Sequence, residues 1–376
     1  MCTFESVKIL VDLTYIGRYP TTGLSNYAFK LLHGMNECGI RDSVLLLTEE
    51  GQAATFRDRI SGFRNVEIRT GFLPFLPFTR RWLHNGALDA IIRREGIDLF
   101  LSPYICDRSL TTRRVPSLGV IHDTYEFTKP QNPLIRWRFN YGAKKAANSF
   151  SRIEAISNTT REEIKALGGI STPVDVIYVS IESTADVSTK RRPEVPYILD
   201  VNTMCVQKNA ITLLKAFNAI KDRIPHSLVF KGGDTPYWRE TMLPYIEENG
   251  LAERVQLIDR RLSAEEVDGL FLNADLFVTP SEMEGFGATP IEAAFAGVPV
   301  ICNALPALLE STRGLMRYYS HSRDHEALAR EMLQLLKHPE EVDTEGIAAE
   351  LKAEYSTRRQ AERFIEKIEE LTRKKF

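Results

Sequence analysis

Residues 274–302 read ADLFVTPSEMEGFGATPIEAAFAGVPVIC. The apolar run 276–278 is short and contains a β-branched residue, as a buried strand does, and Pro280 ends it. A loop holding Glu284-Gly285-Phe286-Gly287 follows, and then a predicted helix. Thr289 reads as its N-cap, Pro290 as its first residue and Glu292 as its third; Gly297 closes it and Pro299 opens the next strand. A glycine-rich loop feeding a helix start presents unpaired N–H groups and a partial positive charge, which suits a diphosphate. Glu284 and Glu292 flank that point, and a carboxylate can accept hydrogen bonds from two sugar hydroxyls. Two plainer readings stand beside this one. Thr289 to Glu292 has the spacing of a capping box, and Glu284 is also what a solvated loop carboxylate looks like.

Working outward, the same strand–helix alternation runs through the whole chain. Residues 7–13, 43–48, 98–102, 117–121, 152–157 and 174–177 read as strands, with helical spacing at 24–38, 82–94 and 159–167. A second series has strands at 197–201, 227–231, 255–258, 275–279 and 299–302, with helices near 210–222, 236–248, 264–273 and 290–296. Such a rhythm predicts two α/β domains, each a doubly wound parallel sheet of Rossmann type, facing one another across a cleft. The polar segment 183–196, with Pro193 and Pro196, reads as the linker between domains 1–182 and 197–356. Residues 357–376 form a charged amphipathic tail helix, expected to return to the first domain. Ligands of such sheets sit at the carboxyl ends of the strands.

Composition narrows the function classes. The chain has 376 residues, 43% hydrophobic and 26% charged, which fits globular domains and not a disordered chain. No apolar run approaches the length of a membrane span, and the first apolar run reads as a strand and not a signal peptide. The five cysteines are scattered without a C-x-x-C pair, so neither a disulfide framework nor a zinc site is expected, and a cytoplasmic location is. Residues 1–182 hold 23 Lys+Arg against 19 Asp+Glu and the remainder 25 against 31, a split of +4 and −6. This excess is too thin for a nucleic-acid surface, and none is expected. Residues 71–84 (GFLPFLPFTRRWLH) and 134–145 (LIRWRFNYGAKK) mix aromatics with cations. They read either as a peripheral surface for an anionic membrane at its inner face or as core and groove linings.

The stretch EGFGATPIEAAFAGVPVI resembles the GT4 family of retaining glycosyltransferases, whose E-x7-E signature falls on Glu284 and Glu292. The resemblance implies a GT-B fold and transfer from a nucleotide-sugar donor to a glycan, glycolipid or lipid-linked acceptor. It implies that Glu284 holds the transferred sugar and Glu292 the ribose diol, with Gly285, Phe286 and Gly287 along the phosphates. Lys208 falls on the family's phosphate-binding lysine, but Gln207 or Thr203 stands where an arginine is common. Lys231-Gly232-Gly233 matches a turn beside the nucleotide base, and is equally a tight turn that needs glycine. In the first domain only Gly23 remains of a glycine-rich loop, and His122-Asp123 ends a strand where the family places a pair near the sugar. His122 also reads as a satisfied strand-end histidine, and Asp123 as a turn cap. Glu282 has no counterpart in the motif and reads as surface.

No cofactor is expected, and neither is a metal, since the histidines are dispersed and His321 and His325 lack companion ligands. The chemistry asks for leaving-group stabilisation by Lys208 and the helix start, with Glu284 orienting the sugar. Rival readings are a sugar-nucleotide epimerase of the same fold type and a catalytically silent scaffold. A nicotinamide dehydrogenase is disfavoured because no G-x-G-x-x-G follows a strand.

Overall fold

A computed structural model describes residues 7–15, 23–39, 43–49, 52–63, 65–72, 81–124, 127, 132–182, 187–191 and 193–373. The chain divides into two compact units, one of residues 1–180 with 355–376 and one of residues 181–354.

The first unit runs β1 (Lys8–Asp12), α1 (Gly23–Glu37), β2 (Ser43–Glu49), α2 (Ala53–Arg59), β3 (Val66–Phe72), α3 (Arg81–Glu95) and β4 (Leu99–Ser102). It continues with β5 (Ser117–Ile121), α4 (Pro133–Ala147), β6 (Arg152–Ala155), α5 (Asn158–Leu167) and β7 (Val174–Val176). Its sheet has the order β3-β2-β1-β4-β5-β6-β7, with every pairing parallel. The strands β4 and β5 are buried at every position, as strands covered by helices on both faces must be. Three segments of this unit were not among the predicted elements: the short helix α2, the helix α4, and β3, an edge strand whose VEIRTGF run begins with alternating polar positions.

The second unit runs β8 (Tyr197–Val201), α6 (Ala210–Ile220), β9 (Ser227–Lys231), α7 (Leu243–Glu248), β10 (Val255–Ile258), α8 (Ala264–Asn273) and β11 (Leu276–Thr279). It closes with α9 (Ala288–Phe295), β12 (Val300–Asn303), α10 (Pro306–Ser311), β13 (Arg317–Tyr319), α11 (His325–Lys337) and α12 (Thr344–Glu354). The order is β10-β9-β8-β11-β12-β13, again parallel throughout. This is the doubly wound Rossmann order, and it reverses direction between β8 and β11. Leu213, Phe217, Phe230 and Met332 fill one face of the sheet, so the core holds β8, β9 and β11 rigidly under the loops at their carboxyl ends.

The last helix, α13 (Thr357–Arg373), belongs to the first unit and lies on α1. A Cβ on Gly34 would stand 2.5 Å from the Thr357 carbonyl oxygen, so only glycine permits that approach. Ser180 Oγ donates to Gln360 Oε1 at 2.8 Å and Gln360 Nε2 donates to the Tyr178 carbonyl at 3.1 Å, both within this unit.

Candidate active site

The loops at the β8/β11 reversal carry the densest chemistry. Lys208 lies in a single 3-10 turn after β8, and Glu284 in the loop after β11; Lys208 Nζ and Glu284 Oε1 are 2.7 Å apart, both side chains largely buried. Such a pair lies across the point where an open α/β sheet takes its ligand. The next residue, Asn209, has φ 52°, the left-handed region, and a polar lock explains why it is held there. Its Nδ2 donates to the carbonyls of Pro280 (3.1 Å) and Ser322 (2.6 Å), and its Oδ1 accepts from Thr212 Oγ1 at 2.9 Å.

Glu282 corrects its reading as surface. It accepts two bonds from the Arg323 guanidinium, at 2.6 and 3.1 Å, and one from Ser322 Oγ at 3.2 Å. Arg323 and Ser322 hold its carboxyl below the usual carboxylate range. Its backbone N–H donates to the Gln207 carbonyl at 2.8 Å, and Asn303 Nδ2 donates to the Ser281 carbonyl at 2.8 Å. Three loops, after β8, β11 and β13, are therefore tied together around Lys208 and Glu284.

The helix after this loop begins two residues earlier than its sequence suggests. Gly287, at φ 82°, occupies the N-cap position of α9 and has no side chain with which to cap it. Thr289 is then the second helical residue and Glu292 the fifth, so the predicted capping-box spacing is lost. A Cβ on Gly287 would collide with Leu308 Cδ2, which explains the glycine on packing as well as on φ. Phe286 is buried and anchors the loop.

Asp200, near the end of β8, was not a sequence candidate. It is buried, its Oδ2 accepts from Asn202 Nδ2, and its Oδ1 meets no protein donor. Burial pushes its carboxyl up to about 7; Asn202 and Lys208 pull it down, and Glu284 adds a smaller upward push. An acid inside the otherwise apolar YILDV strand was the available signal. Lys231 ends β9, and the following Gly232 is buried. A Cβ there would lie 2.7 Å from the Asn202 carbonyl oxygen, so the tight turn itself demands glycine.

His122 and Gly23 stand in the first unit. His122 Nε2–H donates to the Pro103 carbonyl at 2.9 Å, and its ring meets Tyr27 edge-on at 4.5 Å. Burial lowers its pKa to about 4, with the Pro103 bond opposing. Its imidazole is therefore neutral at pH 7. Tyr15 stacks on Tyr104 at 5.2 Å, and Tyr104 lies 5.9 Å from His122. Gly23 opens α1, and a Cβ there would touch nothing. Among the described residues no group of three His, Cys, Asp or Glu side chains is placed to hold a metal ion.

Two family models cover this chain in tandem: Glycosyltransferase Family 4 over residues 21–184 and Glycosyl transferases group 1 over residues 183–351. O-antigen chain mannosyltransferase B of Escherichia coli is 25% identical over 356 residues, covering 85% of this chain and 88% of its own. O-antigen chain mannosyltransferase RfbU of Salmonella typhimurium is 26% identical over 310 residues, with 80% and 84% covered. Among solved structures, a glycosyltransferase of Rickettsia africae superposes with a TM-score of 0.76 at 15% identity, over 98% of this chain and 99% of that one. Anabaena HepE, solved with UDP and glucose, gives 0.72 at 17%, over 97% and 100%. With both halves matched by these models and both sheets wound in the GT-B manner, the chain belongs to the GT4 glycosyltransferases.

Proposed function

We propose that the enzyme moves a sugar, with retention at its anomeric carbon, from a nucleotide-diphosphate-sugar to a hydroxyl of a glycan, glycolipid or lipid-linked acceptor. The observation that carries this reading is the Lys208–Glu284 pair over the β8/β11 reversal, beside the start of α9. A cation and a helix N-terminus stabilise the charge that develops on a departing diphosphate. Glu284 accepts hydroxyls of the reacting sugar, and Glu292 those of the ribose. In the structure Lys208 and Glu284 neutralise each other, so a bound donor would exchange that contact for phosphate on one and hydroxyls on the other. Glu284, engaged in holding sugar, is not free to act as the nucleophile. Attack from the face of the leaving group, assisted by the phosphate, then accounts for retention.

Lys208 and the helix start supply the positive charge, so the reaction is proposed to need no metal or cofactor, and activity should persist in excess EDTA. Loss of turnover that added Mg²⁺ or Mn²⁺ restores would overturn that part. The relatives named as mannosyltransferases make GDP-mannose the first donor to test, with UDP-glucose beside it. An acceptor bearing a lipid places the enzyme at the inner face of a membrane, as a peripheral protein of the cytoplasm.

The decisive experiment incubates the protein with each donor, with and without lipid-linked oligosaccharide, and reads products by NMR. A new glycosidic bond of the donor's anomeric configuration supports the proposal. An inverted linkage overturns retention, an epimerised nucleotide-sugar without acceptor supports the epimerase, and donor binding without any product supports the scaffold.

A further inference from the structure

The helix α4 has two unlike faces. Ala143, Ala146 and Ala147 are buried in the core of the first unit. On the opposite side Leu134, Trp137 and Tyr141 are 73%, 65% and 57% exposed. At helical spacing these three lie on one stripe. They are three of the nine strongly exposed large apolar side chains among the described residues. Trp137 and Tyr141 stack at 5.8 Å with their planes 16° apart, so the stripe is one continuous aromatic surface. The helix carries Arg136, Arg138, Lys144 and Lys145 and no acidic residue. Beside the aromatic pair opens a cavity of about 580 Å³, lined by Arg113, Asn140, Lys144 and Lys145 as well as the two rings. Lys144 Nζ donates to the Leu167 carbonyl at 2.9 Å, which fixes one cation at its wall.

We infer that this face is the docking surface for an anionic phospholipid bilayer, with the cavity taking a phosphate headgroup. The inference rests on the membrane-proximal reading above and adds which residues make the contact. Tryptophan and tyrosine favour the headgroup level of a bilayer, where an apolar ring body meets a polar tip. Cations around them are drawn to anionic lipid within a Debye length. A neutral glycan could also lie on stacked rings, but it gains nothing from Arg113, Lys144 and Lys145, the three cations that line the cavity beside them. Charge complementarity therefore selects the anionic surface. The buried alanine face shows that the outer stripe is not needed for packing.

Of residues 71–84, the other segment read as a membrane surface, positions 73–80 lie outside the described residues.

The test is co-sedimentation with phosphatidylcholine vesicles, with and without phosphatidylglycerol, at low and high salt. Wild type should bind only the phosphatidylglycerol vesicles, and less as salt rises. Arg113→Gln with Lys145→Gln should weaken binding roughly thirty-fold at low salt, about five-fold for each cation. Leu134→Ala, Trp137→Ala and Tyr141→Ala combined should weaken it roughly ten-fold or more, with unchanged Tm and unchanged donor-induced thermal stabilisation. If wild type ignores both vesicle types, the membrane reading itself fails. If wild type binds and these variants bind equally well, that reading stands and this face is the wrong one. Displacement by inorganic phosphate at matched ionic strength would make the cavity a free-anion site and overturn the bilayer. Lost activity on a soluble glycan with vesicle binding intact would make the rings a glycan platform.

Discussion

In the first sheet the strands flanking the reversal, β1 and β4, lead into the stacked rings of Tyr15 and Tyr104, with His122 close by at the end of β5. In the second sheet the equivalent strands, β8 and β11, lead into Lys208 and Glu284. One strand plan thus carries packed rings at one rim, beside the buried Asp12 carboxyl that closes β1, and a pair of opposite charges at the other. The difference follows from what each rim has to hold still. Rings keep their place by packing, whereas Lys208 and Glu284 depend on Asn209, Glu282 and Arg323 reaching across three loops. In the proposed reaction these charges would meet a diphosphate and a sugar, and such groups work only when fixed in advance.

The largest effect should come from breaking the charged rim. Glu284→Gln should lower kcat roughly 10²- to 10³-fold, the scale of removing one preorganised electrostatic contact. Lys208→Met should fall in the same range, with the donor KM also raised. The comparison breaks if His122→Gln, at the aromatic rim, reduces donor hydrolysis without acceptor as far as Glu284→Gln does.

The sheet of the first unit hides a cost like that of Asp200 in the second, but away from the strand reversal. Glu154 on β6 is fully buried, and neither carboxyl oxygen meets a protein donor. Burial, reinforced by Asp175, pushes it up to about 8, against smaller opposing pulls from Lys367 and Arg152 and a small push from Glu370. Tyr27 from α1, itself pushed far up by burial and by Glu154, feels the same charge. A folded pKa above the unfolded value means that the native state binds the extra proton, so this group's support is complete below about pH 4.5 and is lost as pH rises towards 8. Glu154→Gln should therefore match wild type near pH 4 and exceed it at pH 7 by up to about 3 kcal/mol. Urea unfolding at both pH values reads this directly, and parallel pH curves would refute it.

How much of this was readable in advance differs between the two units in the same way. The buried strands were legible to within a residue or two because apolar runs such as Leu276–Thr279 admit no other placement. The edges were not. Val66–Phe72 alternates only from Val66 to Arg69 before Thr70 and Gly71 break it, and Arg317–Tyr319 is three residues long, so the periodic signal is short at both edges. The EGFG loop reads as an anion site, an expectation carried into the proposed function, yet Thr289 hid the true helix start because a left-handed glycine leaves no side-chain mark. Glu282 looked like surface because its partner Arg323 is 41 residues away. Asp200 and Glu154 owe their character to burial, which one sequence does not display.

A smaller effect tests the hinge between loop and helix. Gly287→Ala must adopt φ 82° and displace Leu308, a combined loss of about 2–3 kcal/mol in stability. No matching penalty is expected for Gly23→Ala, whose Cβ enters open space. Differential scanning of both variants sets the rims side by side, and equal melting temperatures would refute the close packing behind Gly287.

The smallest effect separates two roles for one carboxylate. Had Thr289 and Glu292 formed a capping box, Glu292→Ala would cost helix stability and Glu292→Gln would restore it. With Gly287 at the N-cap, Glu292 sits at the fifth helical position, beyond the reach of that exchange. Glu292 is half-buried, so both substitutions should then shift Tm modestly and alike, with no rescue by Gln over Ala. Ribose binding responds differently, because an amide offers one acceptor oxygen where a carboxylate offers two. Exchanging a charged hydrogen bond for a neutral one loses on the order of 1 kcal/mol, which raises donor KM about five-fold while kcat holds. Donor titration of the two variants, with melting curves alongside, distinguishes these outcomes. A Glu292→Gln enzyme that binds donor as wild type does, beside a Glu292→Ala enzyme that melts early, would return Glu292 to a purely structural role.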